Sequence, residues 1–273
     1  MLWLDPETRC TPALLETPVR LAAAYGAEVE TVVVTDTDAD DDDDADDLPI
    51  RRIGRADGVE VAFTQSKHQR FELLVQRYRR AVEEAGAVHR VKVRHTDASG
   101  DAVDRISEMC LVRGPWNIVA LAHVPTLGGH ALISTLLANV SGATGFLLCG
   151  EPRAAAGSRV VVIVEDADRL PSMLRAAERL TAPGGNVHVV IGADTADEHA
   201  DLEAQARLLT AGSKGVEFEK AGPMFGVPGA LTEVVARMKP SLVVARFGGS
   251  ALADGRELSR ASAATRAPIL LVR

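Results

Sequence analysis

Residues 239–273 read KPSLVVARFGGSALADGRELSRASAATRAPILLVR, and their pattern decides the fold. Ser241 to Ala245 is an apolar run of strand length, Gly248-Gly249 is a turn signal, about Asp254 to Thr265 is a short helix of small and polar residues, and Ile269 to Val272 is a second apolar strand. Strand, crossover helix and strand on one sheet make a parallel βαβ unit. A looser copy, NIVALAHVPTLGGHALISTLLANVSGATGFLLC, occupies residues 117–149. Two copies, each closing a stretch of similar length, predict a tandem duplication with domains over 1–150 and 157–273. The segment EPRAAAGS, Glu151 to Ser158, is the expected linker.

Upstream of each copy, strand-like and helix-like patterns alternate. In the first half, Met1 to Leu4 is a short strand candidate. Leu14, Leu15, Val19, Leu21 and Ala22 then fall at helical spacing, with Gly26 where a C-cap belongs, and Val29 to Val34 is a β-branched run. A long amphipathic helix is predicted from about Thr64 to Ala85, ended by Gly86, with a strand over Val88 to Val93. Helices over Asp101 to Val112 and His130 to Val140 flank a strand over Asn117 to Leu121, and Phe146 to Cys149 is the last strand of the half. The second half repeats the order, with strands at Val160 to Val164, Val187 to Ile191 and Val216 to Phe218. Its expected helices are Leu170 to Leu180, Asp197 to Leu209 and Val227 to Arg237. Such alternation predicts α/β architecture, a five-stranded doubly wound parallel sheet in each half with helices on both faces.

Composition narrows the function classes. At 273 residues and 47% hydrophobic, the chain holds enough apolar material for two ordinary cores. Nine acidic residues lie between Asp36 and Asp47, and setting them aside takes the net charge from −8 to +1, so the acidity is local. A run of like charges this dense gains nothing from burial and reads as a solvated loop. Asp36, Asp38 and Asp40 echo the start of a calcium loop, but the sixth position is Asp41 rather than Gly and the twelfth is Asp47 rather than Glu. Without a basic excess there is no footprint for nucleic acid. Cys10, Cys110 and Cys149 are too far apart for a zinc or disulfide framework, and the seven histidines are scattered, His123 and His130 being the pair best placed to meet near a strand end. No metal site is expected. No apolar run is long enough to span a bilayer, and the N-terminus lacks the basic start of a signal peptide, so a cytoplasmic protein without membrane contact is expected.

The strand, acidic turn and helix ending in Leu21-Ala22-Ala23-Ala24-Tyr25-Gly26-Ala27, together with the closing segments Pro240 to Ala245 and Ala267 to Arg273, resemble the universal stress protein family in a tandem two-domain form. The resemblance implies a Rossmann-like sheet in each half. It also implies that the fifth strands of the two halves pair antiparallel, an internal pseudo-dimer from one polypeptide, with further homodimerisation possible.

Members of that family that bind ATP place an acidic residue after the first strand near the adenine, and a loop G-x-x-G, nine residues, then G-[ST], around ribose and phosphates. Glycines let backbone N–H groups reach anionic oxygens there. Asp5 in the first half, and Glu165 or Asp166 in the second, match the acidic position. Counting back from Pro268, Gly255 falls at the last glycine, but Arg256 stands where Ser or Thr is expected, and Leu242 and Ala245 replace the upstream glycines. Leu132 holds the last-glycine position in the first half, with Gly128-Gly129 upstream. The glycine pairs that remain, Gly128-Gly129 and Gly248-Gly249, follow the fourth strand of each half, at the carboxyl ends where open α/β sheets bind ligands. If phosphate binds, Arg246, Arg256 and Arg260 are the cations placed to meet it.

No Ser-His-Asp or Cys-His arrangement emerges, so no catalytic residue is expected. The expectation is a non-catalytic cytoplasmic stress-response protein with a degenerate ATP loop, needing no cofactor and acting on protein partners or a small ligand. The alternative is an adenine-nucleotide-binding protein, with slow ATP hydrolysis possible, that uses the second half.

Overall fold

The computed structural model describes residues 1–4, 11–35, 52–56, 59–63, 67–114, 117–122, 130–140, 142–150, 159–220, 222–223 and 229–273. The first half contributes β1 (Leu2–Trp3), α1 (Pro12–Tyr25), β2 (Val29–Thr35), β3 (Arg52–Ala56), β4 (Val59–Phe63), α2 (Lys67–His89), β5 (Val93–Ser99), α3 (Ala102–Arg113), β6 (Asn117–Leu121), α4 (His130–Asn139) and β7 (Ala143–Leu148). The second contributes β8 (Arg159–Val164), α5 (Leu170–Leu180), β9 (Asn186–Ile191), α6 (Ala196–Leu209), β10 (Val216–Phe218), α7 (Ala230–Arg237), β11 (Leu242–Arg246), α8 (Gly255–Thr265) and β12 (Ile269–Val272).

Ten strands form one sheet in the order β10-β9-β8-β11-β12-β7-β6-β1-β2-β5. Each half runs third, second, first, fourth, fifth, so the chain reverses direction across the sheet beside its first strand. Within this sheet every pairing inside a half is parallel, and β12 against β7 is the antiparallel one, with Ile269 opposite Leu148 and Leu271 opposite Phe146. That pairing is the internal pseudo-dimer that the family resemblance implies. It covers two apolar strands that would otherwise be exposed edges.

Both faces of the central strands are buried, which is why they read as unbroken apolar runs. Val160, Val162 and Val164 of β8 face the layer of α1, α2, α5 and α6, where Leu15, Val19, Tyr78 and Met173 pack. Val161 and Ile163 face the opposite layer of α3, α4, α7 and α8, with Ile106, Ile133, Val235 and Leu258. β1 is short, yet it is central, between β2 and β6. Leu2 and Leu4 are both fully buried and supply what length does not.

Several boundaries differ from expectation. The hairpin β3-β4 pairs Arg52 with Phe63 and Ala56 with Val59 as a separate two-stranded sheet, which periodicity did not reveal. Helix α2 continues through Gly86 to His89, and the next strand starts at Val93 rather than Val88. Gly86 serves close approach, because a Cβ there would lie 2.6 Å from Val93 Cγ2 and 3.0 Å from the Val91 carbonyl oxygen. The helix ends instead at Arg90, left-handed with φ of 57°, as Val91 N–H bonds to Gly86 O at 2.8 Å and Arg90 N–H to Ala87 O at 3.4 Å. These two bonds are the Schellman pattern with an arginine in the glycine's place. The first residues of the helix expected from Val227 lie outside the described residues, as do the acidic run, the linker, Cys10 and His123; the His130 side chain is likewise not described.

Gly86→Ala gains about 1 kcal/mol in helix propensity. It loses more to overpacking, typically about 1–3 kcal/mol. The expected outcome is a lower urea midpoint, partly restored by Val93→Ala. His188 on β9 offers a second test, because burial first and Arg159 second hold its imidazolium pKa below the ordinary value, against an opposing pull from Glu217. The native state then favours the neutral ring, so the unfolded chain binds the proton first as pH falls below about 6.5. Stability should drop from about pH 7 to about pH 5, and less steeply in His188→Gln by thermal melts.

Candidate functional site

At the carboxyl end of β8, Glu165 and Asp166 turn the chain toward α5. Asp166 Oδ1 accepts from Asp168 N–H at 2.9 Å and caps a single 3-10 turn, Ala167–Arg169, while Oδ2 takes a long contact from Arg246 Nη1 at 3.4 Å. β11 lies beside β8 and ends at Arg246, so the loop 247–254 rises directly over the acidic turn. Gly248 sits at φ of +70°, a conformation only glycine adopts without strain.

Glu165 folds into that loop. Its Oε1 accepts from Ser250 Oγ at 2.5 Å and from Ala251 N–H at 2.7 Å. Its Oε2 is shielded from solvent with no hydrogen-bond partner. A Cβ on Gly249 would lie 2.0 Å from Oε2, so glycine lets the carboxylate lie flat against the backbone. The result is an internal anion in the glycine turn.

The first turn of α8 is closed in the same way. Asp254 is its N-cap, its Oδ1 accepting from Arg256 N–H at 2.8 Å and Glu257 N–H at 2.9 Å, while Gly255 N–H donates to Ser134 Oγ of α4 at 3.0 Å. Three amides that could have met a phosphate are satisfied by the protein itself. Arg260 pairs with Glu257 at 2.7 Å, and the Arg256 side chain is exposed. The arrangement can hold the loop and orient a hydrogen-bonding ligand. It presents carboxylates where a nucleotide's phosphates would need donors.

The structure therefore brings Glu165, Asp166, Gly248, Gly249, Gly255 and Arg256 together around one loop. Asp5, Gly128 and Gly129 lie outside the described residues. Sequence reasoning missed Asp254 and Ser134. Asp254 carried a signal, an N-cap acid followed three residues later by Glu257. Ser134 carried none, since its role depends on α4 meeting α8 across the seam. Among the described residues no cluster of three or more His, Cys, Asp or Glu side chains could hold a metal, and no helix is long and apolar enough to cross a membrane. Cys110 and Cys149 are both buried, and burial pushes the Cys110 thiol pKa up.

No family model and no curated protein matches the sequence. Solved structures do. A universal stress protein from Archaeoglobus fulgidus DSM 4304 superposes with a TM-score of 0.58 at 14% identity, covering 100% of this chain and 95% of that one. The chain has the tandem universal stress protein fold. A protein from Pseudomonas aeruginosa UCBPP-PA14 assigned to the same class gives 0.57 at 14% identity over 99% of this chain and 90% of its own. The cytoplasmic domain of a prokaryotic cation chloride cotransporter gives 0.55 at 12% identity, covering 99% and 93%. The universal stress fold thus extends over the whole chain.

If Glu165 fills the turn, crowding Gly249 should expel it. Gly249→Ala is expected to cost about 1–3 kcal/mol in chemical denaturation. The same change in a Glu165→Ala background should cost distinctly less, and the double-mutant cycle reads the coupling directly.

Proposed function

We propose that the protein is a non-catalytic binding protein of universal stress type that works in the cytoplasm, through protein partners or a small ligand rather than through ATP. The observation that carries this reading is the occupation of the loop's donors by the chain's own groups: Glu165 on Ser250 and Ala251, Asp254 on Arg256 and Glu257, Ser134 on Gly255. A phosphate entering there would displace bonds already made and face two carboxylates, and like charges at close range oppose binding. The fold likeness to a universal stress protein supports a stress-related role. The likeness to a transporter's cytoplasmic domain supports action through a protein partner.

Binding of an adenine nucleotide in the second half is the competing reading, resting on the arginines around the loop. Arg260 is engaged by Glu257 and Arg246 contacts Asp166, which leaves Arg256 as the guanidinium with most freedom to turn toward a phosphate. Titration calorimetry with ATP and magnesium separates the two. The wild-type chain is expected to show no binding at millimolar ATP and to carry no nucleotide released on denaturation. A Glu165→Ala/Asp254→Ala variant is expected to gain binding. Stoichiometric nucleotide in the purified wild-type protein, lost in Arg256→Glu, would replace the proposal with the competing one.

A further inference from the structure

Along the sheet edge that carries Glu165 lies a cleft of about 680 Å³, over the amino ends of the first half's strands. The antiparallel seam places those amino ends beside the carboxyl ends of β12 and β11. The floor of the cleft is apolar, made by Leu21 and Ala22 of α1, Ile118 and Ala120 of β6, and Leu270 of β12. Its volume falls in the range of sites that enclose one small molecule, about 300–1,000 Å³. The second half is built differently at the related position. β8 is six residues long where β1 is two, and Arg159 at its start donates to Met238 O at 2.7 Å.

The rim has more donor than acceptor capacity. Glu30 accepts from Thr96 Oγ1 at 2.8 Å and Arg113 Nη2 at 2.6 Å; Glu28 takes Lys92 at 3.0 Å and Arg94 at 2.9 Å. The Lys92 hydrogen bond, with help from Arg94, holds the Glu28 carboxyl below its usual pKa and so keeps it ionised. Both rim carboxylates are thus committed to cations, whereas each guanidinium has five N–H donors and Arg94 and Arg113 use one nitrogen each in these pairs.

We propose that this cleft binds one small amphipathic anion, its aromatic or aliphatic body on the Leu21, Ile118 and Leu270 floor and its acidic head on Arg94 and Arg113. The site is separate from the Glu165 loop, and neither depends on the other. Because α1 and β6 belong to one half and β12 to the other, the ligand would span the seam.

Fluorescence titration of the full chain with anilinonaphthalene sulfonate, an aromatic anion, and N-phenylnaphthylamine, its uncharged relative, tests this. One molecule of either probe per chain is expected, with a blue-shifted emission. Ala27 is exposed at the mouth, so Ala27→Leu and then Ala27→Trp should weaken both probes in order of size, the latter by about tenfold or more. Arg94→Ser/Arg113→Ser should weaken the anionic probe by about tenfold and the neutral one by less than about twofold. Circular dichroism of each variant confirms folding, and Ala27→Leu, the smaller change, carries the test should Ala27→Trp misfold. Absence of binding by either probe, or binding indifferent to both Ala27 variants, overturns the site. Equal loss of the two probes in the arginine variant overturns the anionic class of ligand.

Discussion

The pairing of β7 with β12 is the constraint on which the rest of this structure depends. Four residues of each strand meet in register, and Arg273 N–H continues the ladder to Thr144 O at 3.0 Å. This joins two five-stranded sheets into one and turns both closing strands from edges into the centre. Their side chains then have helices over both faces. Phe146, Leu147, Leu148, Ile269, Leu270 and Leu271 are accordingly all at most 1% exposed. Gly145 marks how close the approach is, since a Cβ there would sit 2.6 Å from Leu271 O. Because the halves are covalently joined, the pairing is intramolecular and independent of protein concentration, unlike the seam of a two-chain dimer.

The seam also determines how the loop after β11 is built. α4 and α8 pack across it, which is how a serine from the first half comes to satisfy an amide at the start of a second-half helix. Helix starts need their N–H groups satisfied, and an anion from solution is only one way of doing so. Here the chain supplies Asp254 and Ser134 at the helix start, and Glu165 in the loop just before it. The unpaired Glu165 Oε2 is the exception, a shielded acceptor with no donor. It places the weakest bonding in the loop at the residue that a ligand would have to displace.

Much of the fold was legible because both faces of the central strands are buried. Runs such as Val160 to Val164 leave few readings other than a parallel core strand, and the repeated closing unit gave the duplication. Legibility failed where tertiary contact overrode a local rule. Gly86 looked like a helix end and is a contact point with Val93, while Arg90 ends the helix in a conformation that sequence assigns to glycine. β1 reads only as a short strand candidate, yet full burial of Leu2 and Leu4 goes with its central place. At the candidate site, the acidic turn and the glycine pair could be read from spacing. That the acid lies within the glycine turn could not, because the two are about eighty residues apart and meet only through β8 lying beside β11.

The antiparallel seam has one more consequence. It turns the two halves head to tail, so the carboxyl end of one sheet and the carboxyl end of the other open at opposite poles of the molecule. In a homodimer of single domains, symmetry would oblige both poles to be identical. A single chain carries no such obligation, and the glycine-pair sequences of its two halves already differ, Gly128-Gly129-His130 in one and Gly248-Gly249-Ser250 in the other. Joining the two halves in one chain therefore leaves each pole able to change on its own.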